Sequence, residues 1–451
     1  MGKLFGTDGV RGIANTELTG QLAYQVGQAG AYVLTKETSR KQPIILVARD
    51  TRISGTMLEA ALVAGICSVG AKAISIGVVP TPAVAYLVRE LGADAGVMIS
   101  ASHNPVEFNG IKFFNSEGYK LRDELEEEIE NLIISRSESI PMPIGEEIGT
   151  WEMDHSVIHK YIDYVCNTIS GDLKGLKVLV DCANGAASEV APIALERLGA
   201  EVELIHHKPN GVNINKMCGS THMNDLQSQV VGRGVQAGIA FDGDADRCLG
   251  VDEKGELIDG DQILSIVGLD MKNRGVLKKD TIVATVMSNL GLTVMSKEKD
   301  IHLLQTRVGD RYVLEKMLQN GYNLGGEQSG HVIFLDYNTT GDGLITAIQL
   351  LYVMKKTGKP LSELKQCMQV FPQVLVNAKV KTENKHAYSE DPEIQEQIDA
   401  LEAKFNGEGR VLIRPSGTEP LVRVMIEGKD KAVMEAEAKK LASFIEEKLG
   451  Q

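Results

Sequence analysis

Three stretches of the chain repeat one alternation of apolar and polar positions. PIILVARDTRISGTMLEAALVAGICSVGAKAISIGVVPTP runs from an apolar strand pattern through a polar turn into a helix, a second strand and a Gly/Pro loop. LKVLVDCANGAASEVAPIALERLGAEVELIHHKPNG and TIVATVMSNLGLTVMSKEKDIHLLQTRVGD follow the same order. Short apolar runs separated by helix-length segments are the mark of parallel strands joined by crossover helices. Three such units spaced about a domain apart predict three related α/β domains with mixed sheets rather than one large sheet. The last stretch differs. RVLIRPSGTEPLVRVMIEG predicts two strands around a Gly/Pro loop, followed by a helix whose Met434, Ala438, Leu441, Ile445 and Leu449 recur at three- and four-residue steps on one face. A smaller C-terminal α+β domain is expected there, and the charged segment from Glu383 to Pro392 reads as a surface loop. The predicted domains are 1–155, 156–255, 256–370 and 371–451, arranged around a central cleft. The run from Ala60 to Val79 is weakly polar, but its Ala, Gly and Lys72 fit a buried helix and strand better than a membrane span.

Length and charge narrow the picture. The 451 residues leave room for about three or four domains at ~100–150 residues each. A net charge of -14 argues against non-specific nucleic-acid binding, although a locally basic cleft could still take an anionic substrate. The six cysteines are scattered without a CxxC pair, which fits a reducing cytoplasm better than a disulfide framework or a zinc site. The N-terminal MGKLFGTDGVRG lacks an apolar signal core, and Gly6 stands where a myristoylation pattern wants Ser or Thr.

The chemistry concentrates in polar loops between these elements. In IAFDGDADRCLGVDE, Asp242, Asp244 and Asp246 alternate and Glu253 follows, like the start of a calcium loop. That reading fails because Arg247 occupies the sixth position, where the turn needs Gly, and because strands rather than helices flank it. Three carboxylates curled to one point suit Mg²⁺, and Arg247 beside them suits a phosphate as third partner. A solvated polar turn is the plainer alternative. In MISASHNPVEFNGIKFF, Ser102 precedes an Asn-Pro turn that could display its hydroxyl as a nucleophile, with Lys112 as a possible base; a capping serine in an ordinary turn fits as well. NLGGEQSGHVIF offers Glu327 and Ser329 for sugar hydroxyls, or a simple glycine turn. IRPSGTEPLVR combines Arg414, Ser416, Gly417, Thr418 and Arg423 in a pattern for an anion nest, or an exposed hairpin tip. Arg11, in FGTDGVRG, is a further anion-contacting candidate.

Taken jointly, the Ser-His-Asn-Pro loop, DGDADR, GEQSGH and RPSGTEP resemble the four motifs of the α-D-phosphohexomutase superfamily, in its order and over essentially the whole chain. GTDGVRG, ISASHNP, GGEQSGH with Gln328, and TRVGDRYV are most similar to the bacterial phosphoglucosamine mutase family. That resemblance implies interconversion of glucosamine 6-phosphate and glucosamine 1-phosphate, in the supply of cell-wall precursors. The route would pass through a phosphoserine at Ser102 and a sugar 1,6-bisphosphate that also serves as activator. It implies one Mg²⁺ held by Asp242, Asp244, Asp246 and Ser102, with Arg11, Lys112 and Arg247 at the reacting phosphoryl group. Glu327 and Ser329 would bind the sugar, and Arg414, Ser416, Gly417, Thr418 and Arg423 the other phosphate. His331 would orient its loop, and His103 would support the centre or the fold. A cytoplasmic homodimer, with neither membrane nor nucleic acid as partner, completes the expectation. The alternatives are a phosphoglucomutase or phosphomannomutase with the same machinery, a phosphatase releasing phosphate from its phosphoserine, and a non-enzymatic calcium- or sugar-binding module.

Overall fold

The computed structural model describes residues 4–6, 9–134, 139–405, 409–416 and 420–450. Four sheets organise them. The first has seven strands. Its centre is the parallel set Ile44–Arg49, Lys72–Val78 and Ala95–Ile99, extended antiparallel by Phe108–Asn115 and Gly9–Ile13. The second pairs Lys177–Asp181 in parallel with both Glu201–Ile205 and Ala237–Phe241, then adds the antiparallel Cys248–Asp252. The third sets Thr281–Thr285 parallel to His302–Thr306 and Leu324–Gly326, with Val332–Phe334 antiparallel. The expected strand-helix-strand units are present in all three mixed sheets, and Ala60–Val79 lies in a helix, Ser54–Ser68, and the strand after it. Among the described residues no helix is long and apolar enough to cross a membrane.

The chain forms two compact units, Met1–Met287 with Ile301–Cys367, and Ser288–Asp300 with Met368–Gln451. The second unit carries a three-stranded antiparallel sheet of Gln373–Lys379, Gly409–Pro415 and Leu421–Gly428. Its last helix, Lys431–Leu449, buries Met434, Ala438, Leu441, Ile445 and Leu449, the face read from the sequence. The second unit also takes in the crossover helix Leu290–Glu298. Within this unit the fully buried Glu427 accepts from Leu290 N and Asn289 Nδ2, and Arg410 Nε donates to the same carboxylate. A buried carboxylate needs such partners, so the start of the helix is tied to the C-terminal sheet.

Each α/β sheet in the first unit ends a central strand in a polar loop. Ile99 leads to Ser102, Phe241 to Asp242, and Gly326 to Glu327. Open α/β sheets place ligands beyond the carboxyl ends of their strands, because crossover connections leave that edge to loops.

Close helix packing supports the first sheet. A Cβ on Gly65 would lie 2.1 Å from the Tyr24 carbonyl oxygen, and one on Gly27 2.4 Å from that of Leu62. The obstacle in each case is backbone, which cannot swing aside. Gly65→Val should therefore destabilise the protein by about 1–3 kcal/mol, read as a lower urea midpoint. Gly232→Ala, in a helix where an added Cβ meets nothing, should instead be neutral or stabilising by up to about 1 kcal/mol.

Candidate active site

Asp242, Asp244 and Asp246 are 1%, 0% and 4% exposed, which rules out the solvated turn. Ala245 takes a left-handed φ of 56°, curling the loop so that one oxygen from each carboxylate lies within 4.8 Å of the others. Glu253, the residue that completed the calcium-loop pattern, binds the Ser362 hydroxyl instead. The aspartate loop is fixed at several points. Thr81 donates its hydroxyl to Asp244 Oδ2 at 2.6 Å and its backbone N–H to the Asp244 carbonyl. Lys112 Nζ, 2% exposed, donates to Asp244 Oδ2 at 3.1 Å. Arg247 donates its backbone N–H to Asp242 Oδ1 at 3.2 Å.

The serine hairpin meets this loop directly. Ser102 Oγ donates to Asp242 Oδ2 at 2.7 Å. Ser102 is 2% exposed, and its φ of 52° is a strained conformation for a residue with a Cβ. The strain is supported from below. Ser102 N donates to Ser100 Oγ, and Ser100 Oγ donates to Asp50 Oδ2. Arg52, 1% exposed, donates to Asp50 and to the carbonyls of Ser102, Asn104, Pro105 and Phe108. A guanidinium suits this role because its five N–H donors radiate in one plane. Asp50 and Arg52 lie in the polar turn ARDTR at the end of the strand Ile44–Arg49. That pattern marks a strand-end turn, but nothing in it points to a hairpin some 50 residues on.

Cations and imidazoles surround the centre. Arg247 donates from its guanidinium to His103 Nδ1 at 2.9 Å, which assigns that nitrogen as acceptor. Burial, then the neighbouring Arg247 and Arg11, push the His103 pKa down to about 4, so the ring is neutral near pH 7. Arg11 therefore lies within electrostatic reach of the serine hairpin, on a strand opposite Gly110. Buried His331 sits 3.6 Å from Asp246 Oδ2 and 3.5 Å from Asp310 Oδ2, and Lys120 Nζ reaches Asp310 at 2.7 Å. Burial opposes the His331 charge, but Asp246 and Asp310 outweigh it and raise its pKa. Lys112, Lys120, Asp310 and His331 also line a cavity of about 490 Å³.

The third loop is only partly drawn in. Glu327 accepts the Gly309 N–H at 3.1 Å and is near enough to influence Arg247. Ser329 is exposed. Gln328 Nε2 donates to Asp259, the cap of the helix Gly260–Asn273, so its amide braces the loop. In the second unit, Arg414 and Arg423 are direct cross-strand partners, and burial together with Arg423 lowers the Arg414 pKa. Like charges placed opposite one another are destabilising unless an anion joins them. Ser416 is buried beside them, at the end of the hairpin. Gly417 and Thr418 lie outside the described residues.

The donor set fits a divalent cation. Asp244 Oδ1 and Asp246 Oδ1 are buried and accept no hydrogen bond, although both are hard oxygens of the kind that bind Mg²⁺. A second cluster, Asp181, His206 and Cys218, fits one poorly. Both Asp181 oxygens there already accept hydrogen bonds, from Ala183 N, Gly219 N and His206.

Without a cation, burial and then Asp246 and Asp244 raise the Asp242 pKa to about 8. Burial also acts on Asp246, but His331, Lys112 and Arg247 prevail and hold it well below the usual carboxylate range. An acid whose pKa is raised by folding destabilises the metal-free protein progressively as pH climbs from ~4 through its folded pKa. A cation must displace that proton, so binding strengthens over the same interval. The rise in melting temperature on adding Mg²⁺ should therefore be larger at pH 8.5 than at pH 6. Asp242→Asn should remove that pH dependence and should raise the melting temperature of the metal-free protein at pH 8.5, as read by thermal scans with and without chelator.

Comparison with known proteins agrees with this layout. Four phosphoglucomutase/phosphomannomutase domain models match in order: alpha/beta/alpha domain I at residues 2–139, domain II at 159–255, domain III at 259–371 and the C-terminal domain at 375–444. The phosphoglucosamine mutase of Acetivibrio thermocellus is 62% identical over 450 residues, covering 100% of each chain. That of Ruminiclostridium cellulolyticum is 60% identical over 449 residues, with the same coverage. Among solved structures, a phosphoglucomutase/phosphomannomutase family protein from Burkholderia thailandensis is 25% identical, with a TM-score of 0.80 over 98% of this chain and 97% of its own. The chain belongs to the phosphoglucomutase/phosphomannomutase family of α-D-phosphohexomutases, and within it to the bacterial phosphoglucosamine mutases.

Proposed function

We infer that the protein is a phosphoglucosamine mutase that interconverts glucosamine 6-phosphate and glucosamine 1-phosphate, with Ser102 carrying the phosphoryl group between turnovers. The observation that carries this reading is the 2.7 Å contact between Ser102 Oγ and Asp242, inside a buried carboxylate triplet with two unpartnered oxygens. Full-length identity of 62% to a phosphoglucosamine mutase supports the amino sugar as substrate.

Asp242, Asp244, Asp246 and an oxygen of phosphorylated Ser102 would hold the cation, which we assign as Mg²⁺ from the all-oxygen donor set. Bound there, it would neutralise charge on the phosphoryl oxygens. In the first step the bond between Ser102 Oγ and phosphorus breaks, and a bond forms to the free sugar hydroxyl, whose proton passes to a base. The product is a 1,6-bisphosphate. After the sugar turns, its other phosphate returns to Ser102. A bound bisphosphate can also rephosphorylate an emptied serine, which is why it would act as activator.

The chain's own groups have separable tasks. Buried Lys112 and half-buried Arg247, both against the aspartates, offer cationic donors to the phosphoryl group, with Arg11 beside them. As a cationic donor, Lys112 is the candidate acid that would protonate the departing Ser102 oxygen. His103 is neutral and takes a hydrogen bond from Arg247, so it orients the guanidinium and adds no positive charge of its own. Glu327 and Ser329 present groups for sugar hydroxyls. Arg414 and Arg423, with Ser416, Gly417 and Thr418, would take the phosphate that is not reacting. Phosphoryl transfer depends on alignment and charge neutralisation more than on covalent help, and alignment alone can supply ~7–11 kcal/mol. A cytoplasmic homodimer is the assembly and location consistent with this activity.

Ser102→Ala should abolish mutase turnover, with a loss of at least about 10³-fold, while its melting temperature stays within a few degrees of the wild type. Peptide mass mapping of the active wild type should find phosphate on Ser102. Arg423→Gln should raise KM for the phosphosugar by about tenfold or more, as expected for loss of a charge-assisted contact. Retained turnover in Ser102→Ala, or a higher kcat/KM with glucose or mannose phosphates than with glucosamine phosphates, would overturn the assignment.

A further inference from the structure

A side chain outside every motif in the sequence joins the serine hairpin to the aspartate loop. Asn215 Nδ2 donates to the Ser102 carbonyl at 2.8 Å and to the Asn104 carbonyl at 3.1 Å. It is 7% exposed and belongs to the second α/β module, whereas both carbonyls belong to the first. Gly243 of the aspartate loop closes the same point. A Cβ there would lie 2.5 Å from the Ser102 carbonyl oxygen and 2.8 Å from Asn215 Nδ2. Amide, carbonyl and glycine thus form one packed node, and Ser102 Oγ reaches Asp242 from the far side of the same residue.

The node has its own scaffold. Asn215 is left-handed, with φ 56°, and its N–H donates to the Ala183 carbonyl at 2.9 Å. Ala183 N, Gly219 N and His206 in turn all bind the Asp181 carboxylate. Three segments of the second module are tied to that one buried acid, and the loop they fix carries Asn215. Arg52 holds the same two carbonyls from within the first module. Arg52 shapes the hairpin from within its own module, and Asn215 attaches the hairpin backbone to the module that carries Asp242.

We propose that Asn215 is a positioning residue for phosphoryl transfer: it docks the Ser102 hairpin onto the aspartate loop and so sets the distance between the serine oxygen and the carboxylate triplet. This rests on the reading of Ser102 as the phosphoryl carrier, and it adds a role for a residue whose amide holds the hairpin backbone. A misplacement of about 1 Å at a transfer centre can cost on the order of 10²-fold in rate.

Asn215→Ala and the isosteric Asn215→Asp both remove the donor, and two readouts on the full-length protein separate position from folding. The first is hydrogen exchange by mass spectrometry. Peptides covering residues 100–108 should lose protection by about tenfold or more, as expected when a buried hydrogen bond is removed, while the other sheets stay unchanged. The second is single-turnover transfer from phosphorylated Ser102 to glucosamine phosphate, which should slow about ten- to hundred-fold with KM within about threefold of wild type. Unchanged exchange at 100–108 in both variants, or transfer within about twofold of wild type despite altered exchange, overturns the proposal. Loss of protection spread over the whole second module would also overturn it, since Asn215 would then be a general folding residue. If the wild type itself fails to transfer from Ser102, the reading of the site as a mutase falls. The exchange result still decides whether Asn215 docks the hairpin.

Discussion

Three carboxylates buried side by side form the constraint around which the first unit is arranged. Removing one ionised carboxylate from water is costly, and removing three within a few ångströms of each other adds mutual repulsion. The protein offsets the cost with Lys112, the Thr81 hydroxyl, the Arg247 backbone and His331, each from a different segment of the chain. The compensation is incomplete, since two aspartate oxygens stay without donors and Asp242 holds its proton up to about pH 8. A site left short of positive charge in this way fits a cation better than it serves stability.

The serine hairpin answers the same constraint from the opposite side. A left-handed Ser102 is unfavourable in isolation, and it persists because Arg52, Ser100 and Asn215 saturate the backbone around it. Those contacts leave the hydroxyl as the one group of Ser102 aimed at the aspartates. The electrostatic problem of the triplet and the backbone strain of the hairpin meet at a single hydrogen bond. In the second unit Arg414 and Arg423 pose the converse problem, two like charges placed directly opposite each other across the hairpin.

Much of this was legible in the sequence, for identifiable reasons. Alternating strand and helix patterns give the three mixed sheets, because short buried strands must be apolar throughout. The aspartate triplet, Ser102 and Lys112 stand out as chemistry-bearing residues in loops or beside them. Whether Asp242, Asp244 and Asp246 were solvated or buried could not be read from their spacing, since the two cases differ only in what packs above the loop. Arg52 and Asn215 left no usable signal. Their partners lie about 50 and 110 residues away, and an Arg in a polar turn or one Asn among several in a loop is common in any α/β protein. The tie between Asn289 and Glu427, which joins the helix Leu290–Glu298 to the C-terminal sheet within the second unit, was hidden for the same reason.

The shared centre of Ser102 and the aspartates can be tested on the phosphorylated protein by replacing Mg²⁺ with Mn²⁺ and recording electron–nuclear double resonance. A strong phosphorus-31 coupling to the bound Mn²⁺, lost when the serine is dephosphorylated, is the expected result. Tight Mn²⁺ binding that depends on Asp242, Asp244 and Asp246 but shows no phosphorus coupling would contradict the claim that serine and aspartates serve one ion.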